Sequence, residues 1–310
     1  MAQQQWVTNT LGGYLANPVL SRTIRHAAQP MTRFRQYVKI KESFGSKRGD
    51  TVLFDRYANV TDQGGTLIET NTMQETTVLI SQGTATVTEY GNAVPYTGKL
   101  DALSEFSVRN DITVALRNDQ AKVIDAAAGA AFAATKAYYQ PLTATTGTHT
   151  TNGAWGATST VNVSIFHIKE VVDFMKDTLL VPKFDGMDYI CIATTKFLRG
   201  LKDDDEWIDP HKYVDTKALY DGEVGRFYGV RFIEETNYMT NGGTSGTTTG
   251  IGAIFGADAV KEIVAVPEEI RAKVGTDYGR SLGLAWYSIL GFKEIWDVYA
   301  DSKIVMVGSL

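Results

Sequence analysis

Gly222-Glu-Val-Gly-Arg-Phe-Tyr-Gly-Val-Arg-Phe-Ile-Glu-Glu-Thr-Asn237 reads as a glycine-punctuated turn feeding a strand. Gly222, Gly225 and Gly229 recur at intervals of three and four residues, and glycine enters left-handed or crowded backbone conformations without a Cβ penalty. Beyond them, Val230 and Phe232 alternate with Arg231 and Ile233, as on a half-buried strand.

The neighbouring segments extend this reading. Ile165, Ile168, Val171, Val172, Met175 and Leu179 recur at helical spacing and predict an amphipathic helix. Tyr189-Ile-Cys-Ile-Ala193 is an apolar strand, with a helix expected from Thr194. Helix and strand signals alternate to about residue 236, which predicts an α/β lobe. Thr240 to Gly250 is a glycine-rich exposed loop, and Ile251–Phe255, Leu284–Leu290 and Lys303–Val307 read as strands returning the chain to the first subdomain. Residues 142–162, rich in threonine, glycine and alanine, read as a linker. Between Pro95 and Pro141, Ile112, Leu116, Val123, Ala127, Ala130, Ala134 and Ala137 sketch a helical stripe of decreasing side-chain size. A continuous helix from Asp101 to Tyr139 would be about 58 Å long, with Arg109-Asn110 as the candidate break.

Towards the N-terminus the pattern changes twice. Thr51 to Ala58 and Glu75 to Glu89 are rich in β-branched and aromatic residues, and the sequence between them turns around Gly64-Gly65. Thr84, Thr86 and Thr88 share one polar face. Such a hairpin carries too little apolar surface to fold alone, so it is expected to pack on another chain. Before it, Leu11, Tyr14, Leu15, Val19 and Leu20 suggest a helical face that Gly12, Gly13 and Pro18 interrupt. Arg22, Arg25, Arg33, Arg35, Lys39, Lys41, Lys47 and Arg48 make this arm the most basic part of the chain. A solvated face and a contact with a neighbour's acidic surface both fit that charge. The expected intersubunit contacts are Arg48, Phe54, Arg56, Tyr57, Ile68, Val78 and Ile80 on the hairpin, and Arg33 and Arg35 on the arm.

Composition narrows the function classes. With 310 residues, 44% of them hydrophobic, the chain is long enough for a sizeable core or two linked subdomains. Its net charge of −5 supplies no bulk attraction to nucleic acid or an anionic membrane. Cys191 is the single cysteine, which excludes an intrachain disulfide and reads as a core thiol. Met1 to Trp6 shows no basic region leading into an apolar run, and no stretch approaches the roughly 18 apolar residues of a membrane span.

Motifs that carry chemistry are sparse. Asp203-Asp-Asp-Glu206, followed by Asp209 and His211, offers oxygen and imidazole ligands but lacks the shaped calcium-loop pattern. It reads as a solvated loop in which Asp204→Ala is nearly neutral. His26, His149 and His167 fall at no catalytic or metal-ligand spacing, and Arg48-Gly-Asp50 reads as a turn at the start of a strand. Phosphate-loop, dinucleotide-binding and nucleophile-elbow patterns are absent. The expectation is no catalytic residue, no cofactor and no metal.

The Gly222–Asn237 segment, with the elements around it, resembles the glycine-punctuated turn and strand of the major capsid proteins of tailed bacteriophages, short-tailed phages especially. The order of arm, protruding hairpin, long spine helix, α/β lobe, glycine-punctuated strand and closing strands is similar to the Hong Kong 97-like capsid fold, an α+β architecture. Gly291-Phe-Lys-Glu-Ile-Trp-Asp-Val-Tyr-Ala-Asp-Ser-Lys-Ile-Val-Met-Val307 looks like that family's final strand pair. By this resemblance, residues 1–47 are the N-terminal arm and 48–98 the extended loop. Residues 99–159 are the peripheral domain with its spine helix, 160–285 the axial domain, and 286–310 strands returning to the peripheral domain. The resemblance implies a virion protein, made in a host cytoplasm, that stays soluble until it assembles. It implies hexameric and pentameric rings in an icosahedral shell around double-stranded DNA, held without sequence reading. Portal and scaffold proteins are the implied partners, with room for decoration proteins and no membrane. A bacterial encapsulin-like nanocompartment shell protein shares the fold and encloses a cargo enzyme, and neighbouring genes separate the two readings. A hydrolase built on the α/β lobe has no assignable nucleophile.

Overall fold

The protein was analysed as a computed structural model that describes residues 28–204, 223–239 and 250–310, apart from positions 39, 44, 46–48, 58–59, 61–63, 71, 74, 105–106, 157–158, 275–277 and 279. Most of the arm, Gly222, Arg48, His26, His211 and the glycine-rich loop lie outside the described residues.

The strands are β1 (Ile40–Ser43), β2 (Thr51–Tyr57), β3 (Ile80–Thr86), β4 (Thr88–Thr97), β5 (Ala137–Thr143), β6 (Thr146–Thr150), β7 (Tyr189–Ala193), β8 (Glu223–Phe227), β9 (Val230–Glu234), β10 (Gly250–Phe255), β11 (Val260–Ala272), β12 (Ser281–Glu294) and β13 (Ile304–Ser309). The helices are α1 (Gly98–Leu103), α2 (Val108–Ala133), α3 (Ile165–Asp177) and α4 (Thr195–Lys202). They build a seven-stranded sheet in the order β6-β5-β13-β10-β7-β9-β8, a four-stranded sheet in the order β1-β11-β12-β4, and the separate ribbon β2-β3.

Both faces of the large sheet are covered, and its central strands are apolar for that reason. Along β7, Tyr189, Cys191 and Ala193 enter one core with α3 and α4, while Ile190 and Ile192 enter the other. The same split divides Val230 and Phe232 from Ile233, so the alternation in β9 separates two apolar cores. Cys191 is buried, which pushes its thiol pKa up and leaves it unreactive. On α3, Ile165, Ile168, Val171, Val172 and Met175 all lie in the first core.

Where the sequence suggested one glycine turn from Gly222 to Gly229, Glu223–Phe227 is strand β8 and the turn is confined to Tyr228-Gly229. Phe227 pairs with Val230 across a two-residue loop whose φ angles are 49° and 75°. Positive φ at both positions defines a type I′ turn, whose twist suits a hairpin. Gly225 lies where the β8–β9 register shifts.

Three expectations need correction. The spine is two helices with a break between Leu103 and Val108, near Arg109-Asn110 as the sequence allowed, but the second ends at Ala133 instead of reaching Tyr139. The chain then enters β5, held by the Thr135 hydroxyl, which donates to the Ile304 carbonyl at 2.8 Å, and by parallel pairing with β13. The buried stripe also differs, because α2 changes partners along its length. Leu116 and Ile124 pack with Leu284, Trp286 and Leu290 of β12, whereas Ala128, Ala131 and Phe132 meet Phe34 and Phe255, which leaves Ala130 and Ala134 exposed. Finally, the expected linker at 142–162 contains β6, and β5, β10 and β13 join the seven-stranded sheet, not the sheet that α2 covers.

Candidate assembly interface

The ribbon β2-β3 pairs from Thr51↔Thr86 to Tyr57↔Ile80 and projects from the body. Along β2, Val52, Phe54 and Arg56 turn towards the protein, while Thr51, Leu53, Asp55 and Tyr57 face out. The root is fastened at three points. The Val87 N–H donates to the Asp50 carbonyl at 2.9 Å. Lys261 Nζ, itself paired with Glu42 at 2.6 Å, lies 5.1 Å from the Phe54 ring centroid. Arg56 Nη1 donates to the Ile295 carbonyl at 3.1 Å and forms an ion pair with Asp297. Burial pushes the Asp297 carboxyl up, but the hydrogen bond and charge of Arg56 outweigh it and hold that group below the usual carboxylate range. Gly291 permits this junction, since a Cβ there would overlap the Thr86 carbonyl oxygen.

Beyond the root, the hairpin exposes apolar side chains in unusual density. Leu53, Tyr57, Leu67, Ile68, Val78 and Ile80 are each 48% to 65% exposed. Isolated exposed apolar residues are ordinary, but so many on one short excursion of the chain favour a surface meant to be covered.

The described end of the arm is knotted into the body. Phe34 packs at 5.4 Å from Phe132 and edge-on to Tyr238, and Met31 N–H donates to Thr236 Oγ1 at 2.9 Å. The backbone N–H groups of Arg33, Phe34 and Arg35 converge on the Asp125 carboxylate, the last at 3.1 Å. Burial is the leading influence on Asp125 and raises its pKa despite those donors. Nearby, buried Glu235 accepts from the N–H groups of Asn237, Tyr238 and Met239.

The structure therefore divides the expected contact residues. Arg35 is engaged within the chain: it donates to Glu262 Oε1 at 2.7 Å and also pairs with Glu268. Arg56 is likewise held internally. Phe54 faces its own body, whereas Tyr57, Ile68, Val78 and Ile80 face outward. Leu53, Leu67 and Leu79 are also exposed on the hairpin and were not singled out from sequence; alternation along β2 could have found Leu53, whereas Leu67 and Leu79 lie between the strands, where no such pattern applies.

The groups considered for chemistry have structural tasks. Ser164 N–H donates to His167 Nδ1 at 3.1 Å, and His167 Nε2 donates to the Thr143 carbonyl at 2.8 Å, so this neutral imidazole completes a capping box for α3. His149 stacks on Phe174 at 4.1 Å. Burial lowers the pKa of both histidines. Asp204, expected in a solvated loop, instead accepts the Ile165 N–H at 3.0 Å at the first turn of α3. Among the described residues, no three histidine, cysteine or carboxylate side chains are grouped to hold a metal, and no helix is long and apolar enough to cross a membrane.

A seven-stranded sheet between two cores, a spine helix over a second sheet and a projecting ribbon together define a Hong Kong 97-like capsid fold. The chain is similar over its full length to the acidic stable capsid structure of Helicobacter pylori bacteriophage KHP30, with 13% identity, a TM-score of 0.73 and 98% of that chain covered. The cyanophage Pam1 capsid gives 14% identity and a TM-score of 0.69, covering 97% of this chain and 98% of that one. The cyanophage P-SCSP1u capsid gives 13% and 0.69, covering 96% and 94%. No curated protein sequence is similar enough to count as a relative. The family described as phage capsid protein matches residues 81–299, well over half of the chain. The chain belongs to that family and is a capsid shell protein, a component of the virion, and the nanocompartment alternative is not favoured.

Proposed function

We propose that this chain is the tile of an icosahedral head of the short-tailed phage type, closing into hexameric and pentameric rings around double-stranded DNA. The observation that supports the reading best is the set of exposed apolar side chains on the hairpin between Leu53 and Ile80, whose root is fastened to the body. A monomer leaves those side chains in water, whereas a ring of copies buries them many times over, so contacts that are individually weak add up. Tyr57, Ile68, Val78 and Ile80 are the contact residues this reading favours, with Arg33 as a second-rank candidate. Arg48 belongs to the same proposal by its place in the sequence. Assembly of this kind needs no catalytic group, cofactor or metal. With a net charge of −5, the wall holds DNA by enclosure and not by sequence reading. Synthesis in a host cytoplasm, a scaffold during assembly, a portal at one vertex and optional decoration proteins complete the proposal.

Sedimentation and negative-stain microscopy of the purified full chain, with and without a scaffold from the same source, test it. Fast-sedimenting rings or closed shells are expected. A strictly monomeric chain in native lysate and in both preparations contradicts the reading.

A further inference from the structure

We propose that His149 and His167 together form an acid-released latch that holds the edge strand β6 and the first turn of α3 against the body of the protein. The device belongs to the folded chain itself and does not depend on the shell reading.

The two imidazoles fasten the same junction from different elements. Among the described residues β6 pairs with β5 alone, as the terminal strand of the seven-stranded sheet. Its remaining hold is what its side chains make with α3. The His149 ring of β6 stacks on Phe174 of α3 at 4.1 Å and lies 4.7 Å from the Tyr139 ring of β5. From the other side, His167 Nε2 donates to the Thr143 carbonyl at 2.8 Å, where β5 ends and the turn into β6 begins. One histidine therefore ties β6 to the far end of α3, and the other ties the β5–β6 turn to the helix start. The contact is close, since a Cβ on Gly147 of β6 would overlap the Tyr139 hydroxyl.

Both arrangements need a neutral ring. A proton on His167 Nδ1 turns the acceptor of the Ser164 N–H into a donor, which breaks the capping box and places a cation at the positive end of the helix dipole. His149 Nδ1 is buried and meets no hydrogen-bond partner among the described residues, so the charged ring would bury an unpaired N–H. The carboxylates that favour the cations are Glu170 of α3, which acts on both rings, and Asp204 beyond α4, which acts on His167. Glu170 already accepts from the Tyr139 hydroxyl, and Asp204 from the Ile165 N–H. Tyr299, on the other side of Phe174, is the remaining titratable neighbour. Burial outweighs these carboxylates and lowers both histidine pKa values. The opened state therefore takes up protons first. The latch is fully engaged above the ordinary histidine value of about 6.5 and weakens as pH falls below it.

The test uses the full chain and two readouts. Deuterium exchange at the imidazole C2 position, followed by mass spectrometry across the histidine range, gives a titration midpoint for each ring, and both are expected below about 6.5. Backbone amide exchange, corrected for the intrinsic effect of pH, is compared at about pH 7.5 and about pH 5. Protection in β6 and in the first turn of α3 is expected to fall about tenfold, the effect of one unit of pKa difference between the closed and opened states, while the central strands β7 and β10 keep theirs. That local pattern separates the histidines from Glu294, which titrates at about 7 at the end of β12. His149→Phe keeps a ring on Phe174, and His167→Gln keeps a capping-box acceptor. The double variant is therefore expected to retain at about pH 5 the protection it has at about pH 7.5. A midpoint at or above about 6.5 for either ring overturns the proposal. So does protection that ignores pH, a loss spread evenly over the sheet, or a loss that persists in the double variant. If the double variant does not fold, the wild-type midpoints and exchange pattern still decide.

Discussion

Arg56 on the hairpin and Asp297 near the C-terminus, 241 residues apart, form an ion pair that fastens the root of the ribbon to the chain segment following β12. Arg56 is 9% exposed and Asp297 36% exposed, so water and salt screen one partner but not the other. Asp297→Asn and Arg56→Ala are each expected to cost about 1–2 kcal/mol and to speed hydrogen exchange in β2 and β3 ahead of the seven-stranded sheet. Because the Asp297 pKa is depressed, the contribution is fully present above the ordinary carboxylate range and is lost as pH falls below that range through the lowered folded-state pKa. Uniform acceleration of exchange across both sheets would contradict the assignment.

Glu294 titrates with the opposite sign. It is buried at the end of β12, where Ser302 Oγ donates to it at 3.3 Å, and burial pushes its pKa up to about 7. A raised carboxylate pKa favours the folded state at low pH, and that advantage disappears as pH rises from about 4.5 towards 7. Glu294→Gln is therefore expected to stabilise the chain at pH 8 by up to about 3 kcal/mol and to flatten its stability between pH 5 and 8. A variant whose melting temperature keeps the wild-type pH dependence would contradict this.

At Gly229 the demand is on φ and not on space. The residue sits at +75°, and among the described residues the one atom near an added Cβ is Lys183 Nζ at 3.9 Å. Gly229→Val is expected to cost about 1–3 kcal/mol and Gly229→Asn less than half of that, since asparagine tolerates the left-handed region. Thermal melts of both variants decide, and equal losses would point to packing instead.

Asp204 caps the α3 N-terminus, so Asp204→Ala is expected to cost about 1 kcal/mol. Asp204→Asn should lose less, because the acceptor oxygen remains while the charge is removed. A wild-type melting temperature for Asp204→Ala would return the residue to the solvated loop the sequence suggested.

What could be read from sequence was governed by local chemistry. The Tyr228-Gly229 turn, the apolar run of β7, the α3 stripe and the paired strands of the hairpin all carry their cause within a few residues. The end of α2 does not. Ala133 to Lys136 contains no glycine or proline, and the helix stops because Thr135 and Ala137 engage the C-terminal strand. The partners of Arg35 and Arg56 lie more than 200 residues away, and the cap supplied by Asp204 lies 39 residues beyond Ile165. Such pairings are set by the fold. An arginine expected at a subunit contact and one clamped inside its own chain therefore look alike in sequence.

The claim that the hairpin joins one shell subunit to another is tested most directly by shortening it without loosening its root. Tyr57 and Ile80 face each other across the ribbon, so deleting residues 58–79 and joining these two through Asn-Gly closes a two-residue turn. The Arg56–Asp297 pair stays in place, while Leu67, Ile68, Val78 and Leu79 are removed. Compared with the full chain by sedimentation and electron microscopy, the shortened chain is expected to melt as a folded protein yet build no rings or shells. Shells of normal size from the folded, shortened chain would contradict the account.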